Sequence, residues 1–209
     1  MSTTDSESVG FDEAYAAEQL RRSRDPLRRL VKGFYLRSVL RDVQGATIDF
    51  GCGAGQLLAR LPHGSIGLEV NPYLVRTLRS EGLTVYQARG TEEDFNLPDI
   101  AAGQFKTLVI AHVLEHLEDP AAALTALLAA CQRVGVGRVL VVVPGIKGFE
   151  SDRTHRTFVD RAFVEARLPT VVEGFVRSEI SYFPGPSEWI GQFFVFHEMR
   201  VRFDRPGEL

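Results

Sequence analysis

The sequence is poor in cysteine and has no long apolar run, and both absences restrict the class of protein it encodes. Cys52 and Cys131 are its two cysteines, too few for a disulfide framework and without the clustered spacing of a structural zinc site. No run approaches the roughly 20 apolar residues that cross a bilayer, and the polar residues 1–10 contain no signal-peptide core. We therefore expect a cytoplasmic protein that is neither inserted into a membrane nor secreted.

An excess of positive charge is also absent. The 209 residues include 24 Lys and Arg against 27 Asp and Glu, giving a net charge of −3 and a pI near 6.0. A dedicated nucleic-acid-binding protein normally has a basic field, so nucleic acid is not an expected partner. The hydrophobic fraction of 44% is that of an ordinary globular chain.

Residues 1–44 are predicted to form a helical segment in front of the main domain. About the first ten residues are rich in Ser, Thr, Asp and Glu, and we expect them to be disordered. The pattern from Phe11 to about Val43 is helical and contains the basic residues Arg21, Arg22, Arg24, Arg28, Arg29, Lys32, Arg37 and Arg41. This run is either a solvated helix face or a docking surface for an anionic substrate, and the sequence leaves both interpretations open.

From residue 45 to residue 209, short apolar runs first alternate with amphipathic segments, as in the β-α units of a parallel sheet. Asn71 before Pro72 and Asp119 before Pro120 are typical helix starts, an N-cap followed by proline. The predicted strands cover residues 46–50, 65–69, 83–87, 105–111 and 138–143, and the predicted helices cover residues 55–61, 72–81 and 120–134.

The last third lacks a long helical stretch and predicts an antiparallel pair, residues 175–183 and 192–203, on either side of a Pro-Gly-Pro turn. In the final segment, alternation places Phe193, Val195, Met199, Val201 and Phe203 on a buried face, with Glu198, Arg200 and Arg202 on the opposite, half-exposed face. The predicted fold class is α/β: a doubly wound, mostly parallel seven-stranded Rossmann-like sheet with an antiparallel last pair and N-terminal helices.

The stretch from Asp49 to Gly55 is the most informative, because its glycines stand where the first strand turns into the next element. Gly51, Gly53 and Gly55 permit a tight turn and a close approach of a ligand to the backbone. The dinucleotide fingerprint G-x-G-x-x-G fails at Gln56, and a phosphate-binding loop would need Lys-Ser or Lys-Thr after the glycines. Glu69 ends the second strand, where a carboxylate can accept hydrogen bonds from ribose hydroxyls. The pattern therefore favours a nucleoside ligand.

This combination of an acidic residue, G-x-G-x-G, and a second acidic residue closing strand two resembles the class I S-adenosylmethionine-dependent methyltransferases. The segment His112–Pro120 after strand four is similar to that of methyltransferases related to ubiquinone and menaquinone biosynthesis. So is Thr154–Phe158, after strand five.

The resemblance implies S-adenosylmethionine as cofactor and the methyltransferase version of the Rossmann-like fold. It places the glycines under the methionine part of the cofactor, Asp49 near its amino group and Glu69 at the ribose. Thr91 and Glu92 fall in the adenine-contact stretch, although Thr91 stands where the family usually has Asp. The complete set of implied cofactor-binding residues is Asp49, Gly51, Cys52, Gly53, Gly55, Glu69, Val70, Thr91, Glu92 and His112.

His112-x-x-Glu115-His116 also matches the H-x-x-E-H motif of inverted zincins, in which two histidines on one helix bind zinc. Those enzymes need the motif inside a long helix, whereas here it lies between an apolar strand and the helix start at Asp119-Pro120. We therefore predict no metal site, and a turn that Glu115 and His116 stabilise, with Leu114 and Leu117 in the core.

The expected activity is transfer of a methyl group to a small-molecule acceptor by in-line displacement. His155 and His112 are the candidates for a general base, although a capping or hydrogen-bonding role of His155 in the fold is the favoured interpretation. Two alternatives stay open: a methyltransferase-like cofactor-binding subunit without turnover, and an NAD-dependent oxidoreductase, against which the glycine spacing argues.

The acceptor pocket is expected over the carboxyl ends of the strands, bordered by the N-terminal helices, the loop of residues 149–158 and the turn of residues 182–189. The candidate aromatic lining residues are Phe149, Tyr182, Phe183 and Trp189, although such residues are more often ordinary core residues. The sequence does not identify the acceptor or the oligomeric state.

Overall fold

The computed structural model describes residues 12–24 and 26–207; the side chains of residues 22, 24 and 26–31 are outside this description. The predicted disorder of the first ten residues and the side chains of Arg22, Arg24, Arg28 and Arg29 therefore lie outside the described part. The helices are α1 (Glu13–Arg24), α2 (Pro26–Leu40), α3 (Pro72–Ser80), α4 (Pro120–Val134), α5 (Ile146–Glu150) and α6 (Arg161–Arg167).

Eight strands of the described chain form one mixed sheet in the order β3-β2-β1-β4-β5-β8-β7-β6. The first five are parallel to one another, and β8 pairs antiparallel with both β5 and β7. The strands are β1 (Thr47–Phe50), β2 (Ile66–Glu69), β3 (Val85–Gln87), β4 (Thr107–Ala111), β5 (Arg138–Pro144), β6 (Val171–Val172), β7 (Phe175–Phe183) and β8 (Glu198–Asp204).

The sheet is covered on both faces, because successive residues of a strand point to opposite sides. In β4, Leu108 and Ile110 belong to the larger core with α4, whereas Val109 lies on the other face with Tyr35 and Val39 of α2. The N-terminal helix α2 thus shares a core with the central strands. The division of the chain at residue 44 stays a prediction.

The predicted α/β class, strand order along the chain and antiparallel last pair are confirmed. Two details of the prediction were wrong. The expected helix over residues 55–61 is a single 3₁₀ turn, Leu58–Arg60, since only a few residues separate the glycine loop from the bend before β2. The sheet has an eighth strand because the two-residue β6, too short to give a periodic signal, pairs with β7.

The last strand also begins later than predicted. A 3₁₀ turn, Glu188–Gln192, precedes it, and β8 starts at Glu198. Phe193 and Val195, expected on the buried face, are therefore exposed, whereas Met199, Val201 and Phe203 are buried as expected. Among the described residues no helix is both long and apolar enough to cross a bilayer.

Candidate functional site

The candidate site lies at the carboxyl ends of β1, β2 and β4, which are neighbours in the sheet. β1 pairs with β2 on one side and with β4 on the other, so the chain changes direction across the sheet beside β1. Ligands of open α/β sheets bind outside the strand ends at such a switch point. The loop after β1 and the residues that close β2 and β4 are therefore brought together.

The glycine loop is tied to the end of β2. The backbone N–H groups of Gly51 and Cys52 both donate to the Leu68 carbonyl, at 2.9 and 3.0 Å. Gly51, Gly53 and Gly55 all have positive φ, between 52° and 73°, a conformation that costs other residues about 1–2 kcal/mol. Glycine is therefore needed for the backbone conformation of the loop as well as for the close approach of a ligand.

The three glycines differ in what surrounds them. A Cβ atom on Gly51 would overlap Val113, and one on Gly55 would lie 2.6 Å from Leu78 Cδ2. A Cβ atom on Gly53 would meet no described atom within 4 Å. Gly51 and Gly55 are thus needed for packing, while Gly53 leaves open space beside the backbone.

Asp49 is the last but one residue of β1 and is only 3% exposed. Its Oδ2 atom has no hydrogen-bond partner among the described residues. Burial raises the pKa of Asp49 to about 7; a backbone hydrogen bond from Leu58 opposes this rise and the nearby Glu69 carboxylate adds to it. A buried acceptor without a donor costs free energy, so this carboxylate is suited to a cationic or hydrogen-bond-donating ligand group.

Glu69 is the last residue of β2, and its carboxylate is hydrogen-bonded to the glycine loop. Its Oε2 atom accepts from the Gly53 N–H and its Oε1 atom accepts from the Asn71 N–H, both at 2.8 Å. Burial raises the pKa of Glu69, and hydrogen bonds from Asn71, Gly53 and Val70 work against that rise. A carboxylate offers about four lone-pair sites, so these three hydrogen bonds leave one for a ligand hydroxyl.

Helix α1 crosses the same edge of the sheet. The Asp12 carbonyl before this helix accepts from Asn71 Nδ2 at 3.2 Å, and the Ser23 carbonyl near its end accepts from Gln56 Nε2 at 2.9 Å. The helix is therefore attached at one end to the start of α3 and at the other end to the segment after the glycine loop.

The stretch after β3 is organised by Asp94. Its carboxylate accepts from the backbone N–H groups of Arg89, Gly90 and Thr91 at 2.7–3.2 Å. This arrangement caps the 3₁₀ turn Glu92–Asn96 and leaves Thr91 and Glu92 exposed. Both predicted adenine-contact residues are accessible there.

His112 follows β4 and is one of the few non-glycine residues with positive φ, at 56°. Its Nδ1 atom lies 3.2 Å from Glu115 Oε1, and its Nε2 atom lies 3.2 Å from Glu198 Oε2. Burial lowers the pKa of His112, but the two carboxylates raise it more, to about 10. Its imidazole is therefore protonated at neutral pH, which argues against a base role.

Sequence reasoning missed Glu198. The alternation in the last strand places it on the half-exposed face, yet it is 8% exposed, facing His112 and α2. No local signal distinguishes it from the neighbouring Arg200 and Arg202, because its partner comes from a distant part of the chain.

The turn after β4 and the segment after β5 are joined. The Glu115 carbonyl accepts from the N–H groups of Arg156 and Thr157 at 2.7 and 3.1 Å. Only the second half of the H-x-x-E-H motif is helical, as a single 3₁₀ turn, Leu114–His116, with Leu114 buried and Leu117 packed against the core. The motif does not lie in a long helix.

His155 is packed rather than free. Its Nδ1–H donates to the Phe149 carbonyl at 2.8 Å, and its ring stacks on the Phe149 ring at 5.3 Å. Its Nε2 atom lies 3.9 Å from Glu115 Oε1, and its ring centroid lies 4.7 Å from that of His116. Burial lowers the pKa of His116, which is opposed mainly by Glu115.

The four predicted aromatic lining residues do not form one cluster. Phe149 packs on His155, Tyr182 stacks on His197, and Phe183 contacts Tyr35. Trp189 is 62% exposed and contacts the exposed Phe193. Phe183 is connected to the site through Tyr35, whose ring contacts both Phe183 and His112.

Comparison with known proteins first defines the fold. A SAM-dependent methyltransferase from Archaeoglobus fulgidus is similar with a TM-score of 0.65 at 19% identity, over 93% of this chain and 100% of that one. Magnesium protoporphyrin IX methyltransferase (ChlM) from Synechocystis PCC 6803, solved with bound SAH, has a TM-score of 0.65 at 14% identity, over 94% and 97%. The small RNA methyltransferase HEN1 has a TM-score of 0.58 at 15% identity, over 87% of this chain and 25% of that one.

The sequence comparison then defines the family. The model of the methyltransferase domain family matches residues 16–184, and the chain belongs to this family. No curated protein matches the chain significantly. The predicted S-adenosylmethionine-dependent methyltransferase family is thus confirmed, whereas the narrower resemblance to quinone-biosynthesis enzymes stays a prediction.

Proposed function

We propose that the protein transfers a methyl group from S-adenosylmethionine to a small-molecule acceptor. The main observation behind this proposal is Asp49, a buried carboxylate with no described partner for Oδ2, beside a glycine loop and one strand away from Glu69. These are the groups that a nucleoside with an amino-acid tail needs.

The residues fit such a cofactor one by one. Asp49 would pair with its ammonium group, and the open side of Gly53 would admit its methionine part past Gly51, Cys52 and Gly55. Glu69, with Val70 next to it, would accept the ribose hydroxyls. Thr91 and Glu92 would border the adenine, and His112 would lie beside the cofactor at the end of β4. When bound, the cofactor supplies an electrophilic methyl group on a sulfonium.

The chain itself has to orient the acceptor and exclude water. Helix α1, attached at both ends through Asp12 and Ser23, covers the loop side. The His112 imidazolium, fixed between Glu115 and Glu198, places a hydrogen-bonding positive charge at the strand edge. A base role for His155 stays a prediction; its Nε2 lone pair is available because Nδ1 donates its proton to Phe149.

A small-molecule acceptor is supported by the net charge of −3, since a polyanionic acceptor would be favoured by a positive net charge. Among the similar structures, ChlM takes a small-molecule acceptor by its name and HEN1 an RNA, so RNA is the acceptor class to be tested against. The buried free thiols of Cys52 and Cys131 fit a reducing, cytoplasmic setting.

The proposed function is tested by calorimetry of the full chain with S-adenosylmethionine, S-adenosylhomocysteine and NAD. We expect one site per chain that binds S-adenosylmethionine and S-adenosylhomocysteine but does not bind NAD. Binding of NAD alone would refute the proposal in favour of an oxidoreductase. Cofactor binding without methyl transfer to any acceptor in a small-molecule or RNA panel would favour a subunit without turnover.

Two glycine variants separate cofactor access from folding. Gly53→Ala should cost about 1–2 kcal/mol of stability from its positive φ and weaken S-adenosylmethionine binding about tenfold, because the methyl group enters the open space. Gly55→Ala should cost more stability, about 2–4 kcal/mol, since strain adds to overlap with Leu78 and Leu83. Urea unfolding and calorimetry on both variants measure this; equal affinity of Gly53→Ala and wild type would contradict the assignment.

A further inference from the structure

Three side chains meet where the turn after β4 contacts the segment after β5, and the proposed methyl transfer uses none of them as a group. Glu115, His116 and His155 each present one ligand atom, and these atoms all lie within 4.8 Å of one another. Glu115 is fully buried, and its Oε2 atom has no hydrogen-bond partner in the described chain. The His155 side chain is 8% exposed.

The tautomers of both histidines leave Nε2 available. His155 Nδ1 lies 2.8 Å from the Phe149 carbonyl, which can only accept, so Nδ1 carries the proton. His116 Nδ1 lies 3.1 Å from Thr154 Oγ1 and 3.3 Å from the Thr154 carbonyl. The Thr154 hydroxyl donates to Asp152 at 2.7 Å, so His116 Nδ1 is also the donor. Each imidazole therefore has its lone pair on Nε2.

This hydrogen-bonding pattern is typical of histidines that bind metals. A metal-ligating histidine nearly always donates its other N–H to a carbonyl or carboxylate, which fixes the ring orientation. Here a backbone carbonyl orients His155, and a threonine held by Asp152 orients His116. The His155 Nε2 atom lies 3.9 Å from Glu115 Oε1, and the other oxygen of that buried carboxylate, Oε2, has no donor among the described residues.

We propose that Glu115, His116 and His155 bind one divalent transition-metal ion, with zinc as the reference case. Two imidazoles and one carboxylate suit zinc and its neighbours, whereas magnesium prefers oxygen ligands alone. Ligand atoms around a tetrahedral zinc ion stand about 3.4 Å apart, given bonds of about 2.0–2.1 Å. The present ligand atoms, which lie within 4.8 Å of one another, would have to approach by at most about 1.4 Å to reach that spacing.

This site differs from the zincin motif. His112 is not part of it, because its two ring nitrogens face Glu115 and Glu198. The third ligand, His155, comes from the segment after β5, which backbone hydrogen bonds from Arg156 and Thr157 hold against the Glu115 carbonyl. Three protein ligands leave a coordination position for an oxygen of water or of an acceptor. An acceptor bound there would be a hydroxyl compound, a consequence that rests on the proposed function.

The test measures metal binding directly, without cofactor. The full chain, stripped of metal with a chelator, is titrated with Zn²⁺ and with Mg²⁺ by calorimetry at pH 7.5. We expect one Zn²⁺ per chain and Mg²⁺ binding at least about 100-fold weaker. His116→Ala and His155→Ala should each weaken Zn²⁺ binding at least about 100-fold. His63→Ala, at an exposed histidine on the loop before β2, should bind as the wild type does.

Circular dichroism and S-adenosylmethionine binding of each variant separate the loss of a ligand from the loss of the fold. No Zn²⁺ binding by the wild type would overturn the proposal, as would unchanged binding by folded His116→Ala. Loss of methyl transfer in His155→Ala, with Zn²⁺ binding and His116→Ala activity unchanged, would instead establish His155 as a base. A protein that binds Zn²⁺ but no S-adenosylmethionine would refute the proposed function and leave the metal site standing.

Discussion

Asp49→Asn is expected to weaken S-adenosylmethionine binding about 100-fold or more while leaving the protein at least as stable as the wild type. Removing one partner of a buried charge pair costs about 2–5 kcal/mol of binding free energy. In the free protein the same carboxylate is buried with Oδ2 unpartnered among the described residues, so its neutral isostere relieves a cost. Calorimetry and thermal unfolding at pH 7.5 measure the two effects.

The pH dependence of S-adenosylmethionine affinity and of folding stability gives a second test of the role of Asp49. The pKa of Asp49 is raised to about 7 in the free protein, whereas a bound ammonium group would lower it. Wild-type affinity should therefore fall by up to tenfold per unit as the pH falls below about 7. The unfolded pKa is near 3.9, so folding stability should fall as the pH rises from about 4 to 7.

Asp49→Asn should show neither dependence between pH 5 and about 6.5, a range more than one unit below the α-amino pKa of about 7.7–8.0, in which the ligand amino group keeps its proton. A variant that binds S-adenosylmethionine as tightly as the wild type would remove Asp49 from the cofactor site. Weaker binding with an unchanged pH profile would mean that another group titrates.

Glu69→Ala should lower both affinity and stability, because this carboxylate serves the loop and the ligand. It accepts charge-assisted hydrogen bonds from the Gly53 and Asn71 N–H groups, each worth about 1.5–3 kcal/mol. We expect a loss of several degrees in Tm and at least about 100-fold in S-adenosylmethionine affinity. Thermal unfolding with and without ligand, together with calorimetry, measures both.

Glu165→Ala is a matched control, since Glu165 forms an exposed ion pair with Arg161 on α6. Exposed pairs contribute about 0–1 kcal/mol, and this variant should bind the cofactor normally. If Glu69→Ala lost stability but kept wild-type affinity, Glu69 would be a structural residue of the loop alone.

The loop of residues 49–55 and the strand ends around it were predictable because their signals are local. Positive φ at Gly51, Gly53 and Gly55, and capping by Asn71 before Pro72, are properties of short stretches of sequence. Parallel strands end at one edge of a sheet, so Asp49 and Glu69 had to lie near each other once β1 and β2 were recognised. The roles of these residues toward the cofactor stay predictions.

The surroundings of the histidines were not predictable in the same way. His112 was a candidate base by position, but Glu198 arrives from the antiparallel strand β8 and keeps the imidazole charged. Phe149, Tyr182, Phe183 and Trp189 were grouped by sequence proximity to the expected pocket, yet each packs on a different neighbour. Burial and charge at these positions depend on segments that are distant along the chain.

The sequence by itself determined the α/β class, the glycine loop, the acidic residues at the ends of β1 and β2, and the methyltransferase family, because each is encoded by periodicity or by a short motif. Which side chains pack against one another was decided only by the tertiary structure. It left the Oδ2 atom of Asp49 without a described partner, placed Glu198 against His112, and brought His155 to Glu115 and His116. The reason is that a buried group's electrostatic state is set by what packs around it, and packing joins parts of the chain that no local pattern connects.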